Sequence, residues 1–431
     1  TKTEADPLWC HSPRQHRLAE HLESMTARQS LCLLVLLQTV LSVNCCYRQD
    51  VDLLQDFNGK LAEIKGEPGI SDTGSVVENI GDVNNDGYDD ILVTDVIAER
   101  VFVIFGGNLS DVDLPVSSED EGGKGFMIHG LAGSTQFFGE RGAGAGDVNS
   151  DGYADVVIGE FRADPNGLDG AGVAYVIFGS PNPTDVDVTE PLAGKGFVIQ
   201  GKARLDRTGY DVSGVGDVNG DGFADVLIGA TEADPLGRSN AGAGYVIFGS
   251  PNPSDIDLRN PIPEGRGFAI FGIAGDQIGF RVSGAGDFNG DGYDDMAISA
   301  RYASPFGRVQ AGAVYVIFGA QNLSDVDLQS SVSNGFEGRG FTVSGAAENY
   351  WFFYVSNAGD FNGDGYDDLM MTAAQGSSQG LQANGLTYVI FGEQTPTDID
   401  LAEGLGTARG FVIHGEAAND RNGHYLNVAG D

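Results

Sequence analysis

Five stretches of this 431-residue chain repeat the order Asp-x-Asn-x-Asp-Gly-x-x-Asp. The first holds Asp82, Asn84, Asp86, Gly87, Tyr88 and Asp90. The next two hold Asp147, Asn149, Asp151, Tyr153 and Asp155, then Asp217, Asn219, Asp221, Phe223 and Asp225. The last two hold Asp287, Asn289, Asp291, Tyr293 and Asp295, then Asp360, Asn362, Asp364, Tyr366 and Asp368. Oxygens at alternate positions can converge on one hard cation. Glycine at the sixth position permits the sharp turn this needs, and the carbonyl of the seventh (Tyr88, Tyr153, Phe223, Tyr293, Tyr366) can add a ligand. The loops contain no His or Cys, which argues against zinc, and magnesium keeps more water than such a set allows. The donor set therefore predicts Ca2+. The order is that of an EF-hand start without its glutamate at the twelfth position, and a strand follows instead of a helix. Asp, Asn and Gly also make plain turns, but a plain turn has no reason to repeat one ligand set along the chain. Crowded carboxylates repel without a cation, so the ions are expected to be structural.

The loops must be held by something regular. Their first aspartates lie 65, 70, 70 and 73 residues apart. Each unit carries four short apolar segments, for example Gly196–Gly201, Tyr210–Gly216, Asp225–Ala230 and Gly244–Gly249. These are strand lengths, rich in Val, Ile, Tyr and Phe, with Gly and Asp clusters between them. The pattern predicts an all-β fold, a β-propeller of four-stranded blades. The repeats are set at 57–124, 125–195, 196–266, 267–339, 340–409 and a partial 410–431. The segment before each loop is small and polar, as suits a strand crowded around a central channel. Asp431 stands where a sixth loop would begin, so closure is expected to need residues beyond it.

Composition bounds the partners. The net charge of −38 argues against nucleic acid and anionic membrane surfaces. Hydrophobic residues at 41%, in a regular pattern, argue against disorder. The cysteines, Cys10, Cys32, Cys45 and Cys46, all precede the repeats, so no disulfide staples the body. Arg28 and the apolar run Leu31–Val43 predict a signal peptide over 25–46 and an extracellular protein. Residues 1–24 resemble nothing else in the chain and stay unassigned, 47–56 are expected to be a linker, and no later stretch is long and apolar enough to cross a membrane.

The succession of Gly and an aromatic, V-x-x-A/V-G-D-x-N-x-D-G, a D-[VL]-x-I-G-A-type strand and Y-V-I-F-G resembles the FG-GAP repeats of integrin α-subunit propellers. The likeness runs from Phe57 to Asp431. It implies about seven blades when complete, calcium loops on one face and ligand contact through the other. Every complete repeat here has a loop, no inserted domain fits the even spacing and no cysteines staple the blades, which is closer to secreted microbial members of the family. A glycine stands eight residues before each loop at Gly74, Gly139, Gly209, Gly279 and Gly423, but Phe352 stands there in the fifth repeat.

The loops between second and third strands vary in sequence, and variable loops on a rigid scaffold are where binding usually lies. Arg238, Phe306, Arg308, Tyr350 and Trp351 are the candidate ligand contacts, each also explicable as ordinary surface packing. The segments Ser110–Asp113, Thr184–Asp187, Ser254–Asp257, Ser324–Asp327 and Thr397–Asp400 form a second acidic repeat, read as a turn in preference to a metal site. No nucleophile elbow, phosphate loop or HExxH helix is present, so no enzyme is expected. The expected function is a calcium-binding adhesion or surface-recognition module for a protein or glycan ligand. The alternatives are an accessory propeller of a secreted, phospholipase-like hydrolase, or a lectin-like or structural surface protein.

Overall fold

The computed structural model describes residues 50–55, 61–66, 73–107, 111–120, 123–131, 137–352 and 354–423. All belong to one compact unit, Cys46–Val428. The expected signal peptide, residues 1–24, the four cysteines and Asp431 lie outside the described residues.

Five successive sheets each contain four antiparallel strands. Blade 1 comprises Thr73–Gly81, Asp90–Asp95, Arg100–Ile104 and Gly125–His129, and blade 2 Arg141–Gly146, Asp155–Glu160, Val173–Ile177 and Gly196–Gln200. Blade 3 comprises Thr208–Gly216, Asp225–Ala230, Ala243–Ile247 and Gly267–Phe271. Blade 4 comprises Ile278–Gly286, Asp295–Ala300, Ala313–Ile317 and Gly340–Ser344, and blade 5 Tyr354–Gly359, Asp368–Ala373, Leu386–Ile390 and Gly410–His414. A short helix, Leu328–Asn334, fills the longer third-to-fourth connection of blade 4. The all-β, propeller-like architecture read from the sequence is the architecture of the chain.

The repeat in the sequence and the blade in space are offset by one strand. Gly196–Gln200, which opens the third sequence repeat, pairs with Val173–Ile177 of blade 2. Third and fourth strands form an antiparallel pair, so the fourth closes the blade behind it before the chain crosses to the next.

The second acidic repeat is not a turn. Val186–Asp187, Ile256–Asp257, Val326–Asp327 and Ile399–Asp400 are two-residue strands, each paired parallel to the outer strand of the preceding blade. The aspartate before each strand caps that neighbour. Asp185 accepts from the Met127 amide at 3.0 Å, Asp255 from Val198 at 2.9 Å, Asp325 from Ala269 at 2.9 Å and Asp398 from Thr342 at 2.8 Å. These segments are hooks that latch one blade to the last. Upstream, Asp50–Gln55 and Leu61–Lys65 pair antiparallel, and Val112–Asp113 hooks onto Leu61–Lys65 in the same way. The stretch expected as a linker thus contributes a strand.

The first strand of each blade packs against the first strand of the next. A Cβ on Gly214 would meet the backbone of Gly144 and Ala145, which is why this strand is so poor in side chains. Second strands are buried along nearly all their length, as in Asp225–Ala230 and Asp295–Ala300, where both faces are covered by neighbouring sheets. The core is divided among the blade boundaries. Val157, Val176, Ile228 and Ile247 pack between blades 2 and 3, and Leu227, Val246, Ile298 and Ile317 between blades 3 and 4. No helix among the described residues is long and apolar enough to cross a membrane.

Blade 5 departs in spacing. Gly172 and Gly242 lie against the backbones of Thr208 and Ile278, and Gly312 lies in the same way against Phe352. Phe352 thus holds the place before the expected glycine, and it is buried, edge-on to Tyr388. The first strands of blades 3 and 4 shift register between Thr208 and Val212 and between Ile278 and Val282, whereas the described pairing of blade 5 begins at Tyr354. Counting back from the loop therefore misplaces Phe352 by one residue.

Candidate metal centres

Each predicted loop joins the first and second strands of a blade. The first aspartate folds it. Asp217 accepts from the amide of Asp221 at 3.0 Å through Oδ1 and of Gly222 at 2.8 Å through Oδ2. Asp82, Asp147, Asp287 and Asp360 do the same in their loops. The third-position Asn84, Asn149, Asn219, Asn289 and Asn362 donate to the aspartate two residues on. That aspartate accepts in turn from the seventh-position amide, as Asp221 does from Phe223 at 3.0 Å. The sixth-position glycines have φ of 89° to 95°, with open space where a Cβ would lie. The turn predicted there is present. Sequence reasoning missed the fourth position, also left-handed at Asn85, Ser150, Gly220, Gly290 and Gly363. Its signal is composition, since Gly and Asn enter this region most easily.

The ninth-position aspartates are fully buried. Asp225 accepts from the Val218 amide at 3.0 Å and from Gly249 at 2.9 Å, tying the loop to the end of the third strand. Burial pushes Asp155, Asp225 and Asp295 up to about 8, and Asp90 and Asp368 to about 6. Backbone amides offset part of this rise, and carboxylates of the same loop add to it.

Among the described residues, no group of three or more His, Cys, Asp or Glu side chains is gathered as a metal cluster. The carboxylates cap the amides of their own loop. Each carboxylate oxygen has two lone pairs, so capping one amide leaves capacity for a cation. Asp295 is the loosest of these anchors: its Oδ2 is buried without a well-formed hydrogen bond, although the Asn289 backbone amide acts on the carboxyl. A cation in that loop would add a partner to this buried group. The residues present fit a hard, oxygen-ligated ion.

The ligand-contact candidates lie on the opposite side of the blades. Arg238 makes a two-pronged ion pair with Asp327 at 2.6 and 2.7 Å, and Arg308 pairs with Asp400 at 2.6 and 3.1 Å. Both carboxylates belong to hooks of the following blade, so each arginine has a structural partner. Tyr350 donates to the Ser377 carbonyl at 2.6 Å, and the Trp351 indole donates to Gln310 at 3.2 Å. Phe306 is 76% exposed at a loop tip, with the Arg308 guanidinium 4.9 Å from its ring centre. The loops that vary in sequence share one backbone. Asn166, Leu236 and Phe306 occupy the same left-handed tip, and Asp164, Asp234 and Ser304 each accept from the amide six residues on.

The FG-GAP repeat family matches residues 208–247, 279–317 and 352–390. Integrin alpha-PS2 of Drosophila melanogaster is 32% identical over 164 residues, 36% of this chain and 11% of that protein. Mouse integrin alpha-IIb is 30% identical over 168 residues, 37% of this chain and 14% of that protein. Human phosphatidylinositol-glycan-specific phospholipase D is 28% identical over 211 residues, 48% of this chain and 23% of that protein. The matches thus span only a minor part of each relative. By its blades, the order of its loops and these matches, the chain carries FG-GAP repeats and is similar to the propellers of integrin α subunits.

Proposed function

We propose that this chain is an extracellular, calcium-binding propeller module for adhesion or surface recognition. The observation that carries the calcium reading is the fivefold recurrence of one loop geometry around a buried ninth-position aspartate. In each loop the first, third, fifth and ninth side chains and the seventh carbonyl would hold the ion. Bound calcium supplies the positive charge that crowded carboxylates lack. The chain's own residues do the rest: the first aspartate shapes the turn, and the ninth anchors it to the third strand.

Recognition is assigned to the face opposite the loops. Leu236 and Phe306 are 64% and 76% exposed at neighbouring tips, and both are held in the left-handed region. Bulky apolar side chains rarely sit there without a role. Val309, 53% exposed, extends this apolar edge. Similarity to integrin α subunits supports a protein ligand. The test is calcium-dependent attachment of cells to immobilised protein. Attachment is expected to fall in Leu236→Ser/Phe306→Ser; attachment equal to wild type would overturn this face as the contact.

Similarity to a phospholipase D supports a second reading, an accessory propeller of a secreted hydrolase. Release of a glycan-anchored reporter by the full-length protein would favour it over adhesion.

A further inference from the structure

Adjacent metal loops are joined residue to residue, and the joints differ along the chain. The eighth-position amide of each loop donates to the first-position carbonyl of the loop before it. Ala154 donates to Asp82 at 3.0 Å, Ala224 to Asp147 at 3.1 Å, Asp294 to Asp217 at 3.4 Å and Asp367 to Asp287 at 3.3 Å. The donating amide belongs to the same peptide unit as the seventh-position carbonyl, one of the proposed calcium ligands. Between blades 1 and 2 and between blades 2 and 3 the eighth side chain is only a methyl group.

The later joints add a carboxylate. Asp294 accepts from the Asp217 amide at 2.8 Å, and Asp367 accepts from the Asp287 amide at 2.8 Å. Space for each carboxylate exists because Gly216 and Gly286 have no Cβ, which would overlap it. The rings of Tyr293 and Tyr366 also lie over Gly220 and Gly290, the fourth position of the preceding loop. At these two joints the first aspartate of one loop is therefore gripped at its amide by the next loop, and that loop's turn is covered by the next loop's ring.

We propose that the calcium loops of blades 3, 4 and 5 fill as one coupled unit, with Asp294 and Asp367 as the coupling residues. The proposal rests on the calcium reading above. Asp294 stands between the seventh- and ninth-position ligands of loop 4 and holds the Asp217 amide of loop 3 at 2.8 Å. Holding that amide fixes Asp217, the first ligand of loop 3. Order in loop 4 thus lowers the entropy that loop 3 must lose on binding, and loop 5 acts on loop 4 through Asp367 in the same way. The joints between loops 1 and 2 and between loops 2 and 3 have Ala154 and Ala224 in place of the carboxylate, so loops 1 and 2 are expected to fill independently.

Calcium titration calorimetry on chelator-stripped protein tests this, comparing wild type with Asp294→Ala, Asp367→Ala and the double variant. Wild type is expected to show positive cooperativity. The double variant is expected to lose it, with the calcium midpoint of the coupled sites rising about fivefold or more. Asp294→Asn keeps an acceptor oxygen at native size, should lie between wild type and Asp294→Ala, and replaces the alanine variant if circular dichroism shows that variant unfolded. Variant isotherms that superimpose on wild type overturn the coupling and leave the calcium reading standing. A wild type that takes up no calcium overturns the calcium reading, and the coupling with it.

Discussion

Glu160 shows what burial does to a single carboxyl in this fold. It ends the second strand of blade 2, is 3% exposed, and accepts from the Tyr175 hydroxyl at 2.8 Å. Burial pushes its pKa up to about 7, the Tyr175 hydrogen bond opposes the rise, and Glu99 and Asp164 add to it. The sign follows from proton uptake. Between pH ~4.5 and about 7 the folded protein holds a proton on Glu160 that the unfolded chain has released. Stability is therefore lost as pH rises through that window, by up to about 3 kcal/mol. Glu160→Gln mimics the protonated form and keeps an acceptor for Tyr175. We expect it to melt above wild type at pH 8 and close to wild type at pH 5. The difference between the two proteins isolates this residue from the other buried carboxyls. Equal melting temperatures at both pH values would refute the assignment. The turns built by the repeated aspartates were legible in the sequence because their spacing is local. Glu160 was not, because its burial depends on Tyr175, a neighbour reached only through sheet pairing.

At the scale of elements, the long strands were legible and their partners were not. Short runs such as Asp225–Ala230 declare themselves by β-branched content and length. The hooks do not, since two residues carry no periodicity. Their pairing is made by backbone bonds and one carboxylate contributed from far along the chain. The Arg238–Asp327 pair spans 89 residues, so no local pattern announces it. Asp185 is the hook residue with the fullest network. It accepts from Ser117 Oγ at 2.6 Å, from the Ser118 amide at 2.9 Å and from the Met127 amide at 3.0 Å. Burial works to raise its pKa, but these bonds outweigh burial and hold it below the ordinary carboxylate value. Asp185→Ala would strand a half-buried amide on the outer strand of blade 1. The expected loss is about 1–3 kcal/mol, read by urea unfolding at pH 7. Asp185→Asn should recover part of it. An alanine variant as stable as wild type would mean that the two backbone-paired residues suffice to latch the blades.

At the scale of the whole molecule, apolar contact between consecutive sheets must hold the four-stranded blades together without disulfides in the repeats. Each blade presents its aspartate-rich loop at the same end, and the eighth-position amides link those loops from one blade to the next. Calcium at the loops would therefore reinforce the boundaries where the core is divided, not only the turns themselves. With a Kd near about 10⁻⁴ M and millimolar calcium, linkage gives about 1.4 kcal/mol per site. Independent filling of the five loops gives roughly 7 kcal/mol, similar to the net stability of an ordinary domain. Coupling among blades 3, 4 and 5 would change how that sum is reached as calcium rises, making part of it appear over a narrow concentration range. Removing calcium with a chelator is therefore expected to lower the melting temperature by on the order of 10 °C or more. Excess calcium should restore it, while magnesium at the same concentration should restore less because it resists shedding water. A melt unchanged by chelator would mean that the inter-blade cores and hooks hold the fold without the ions.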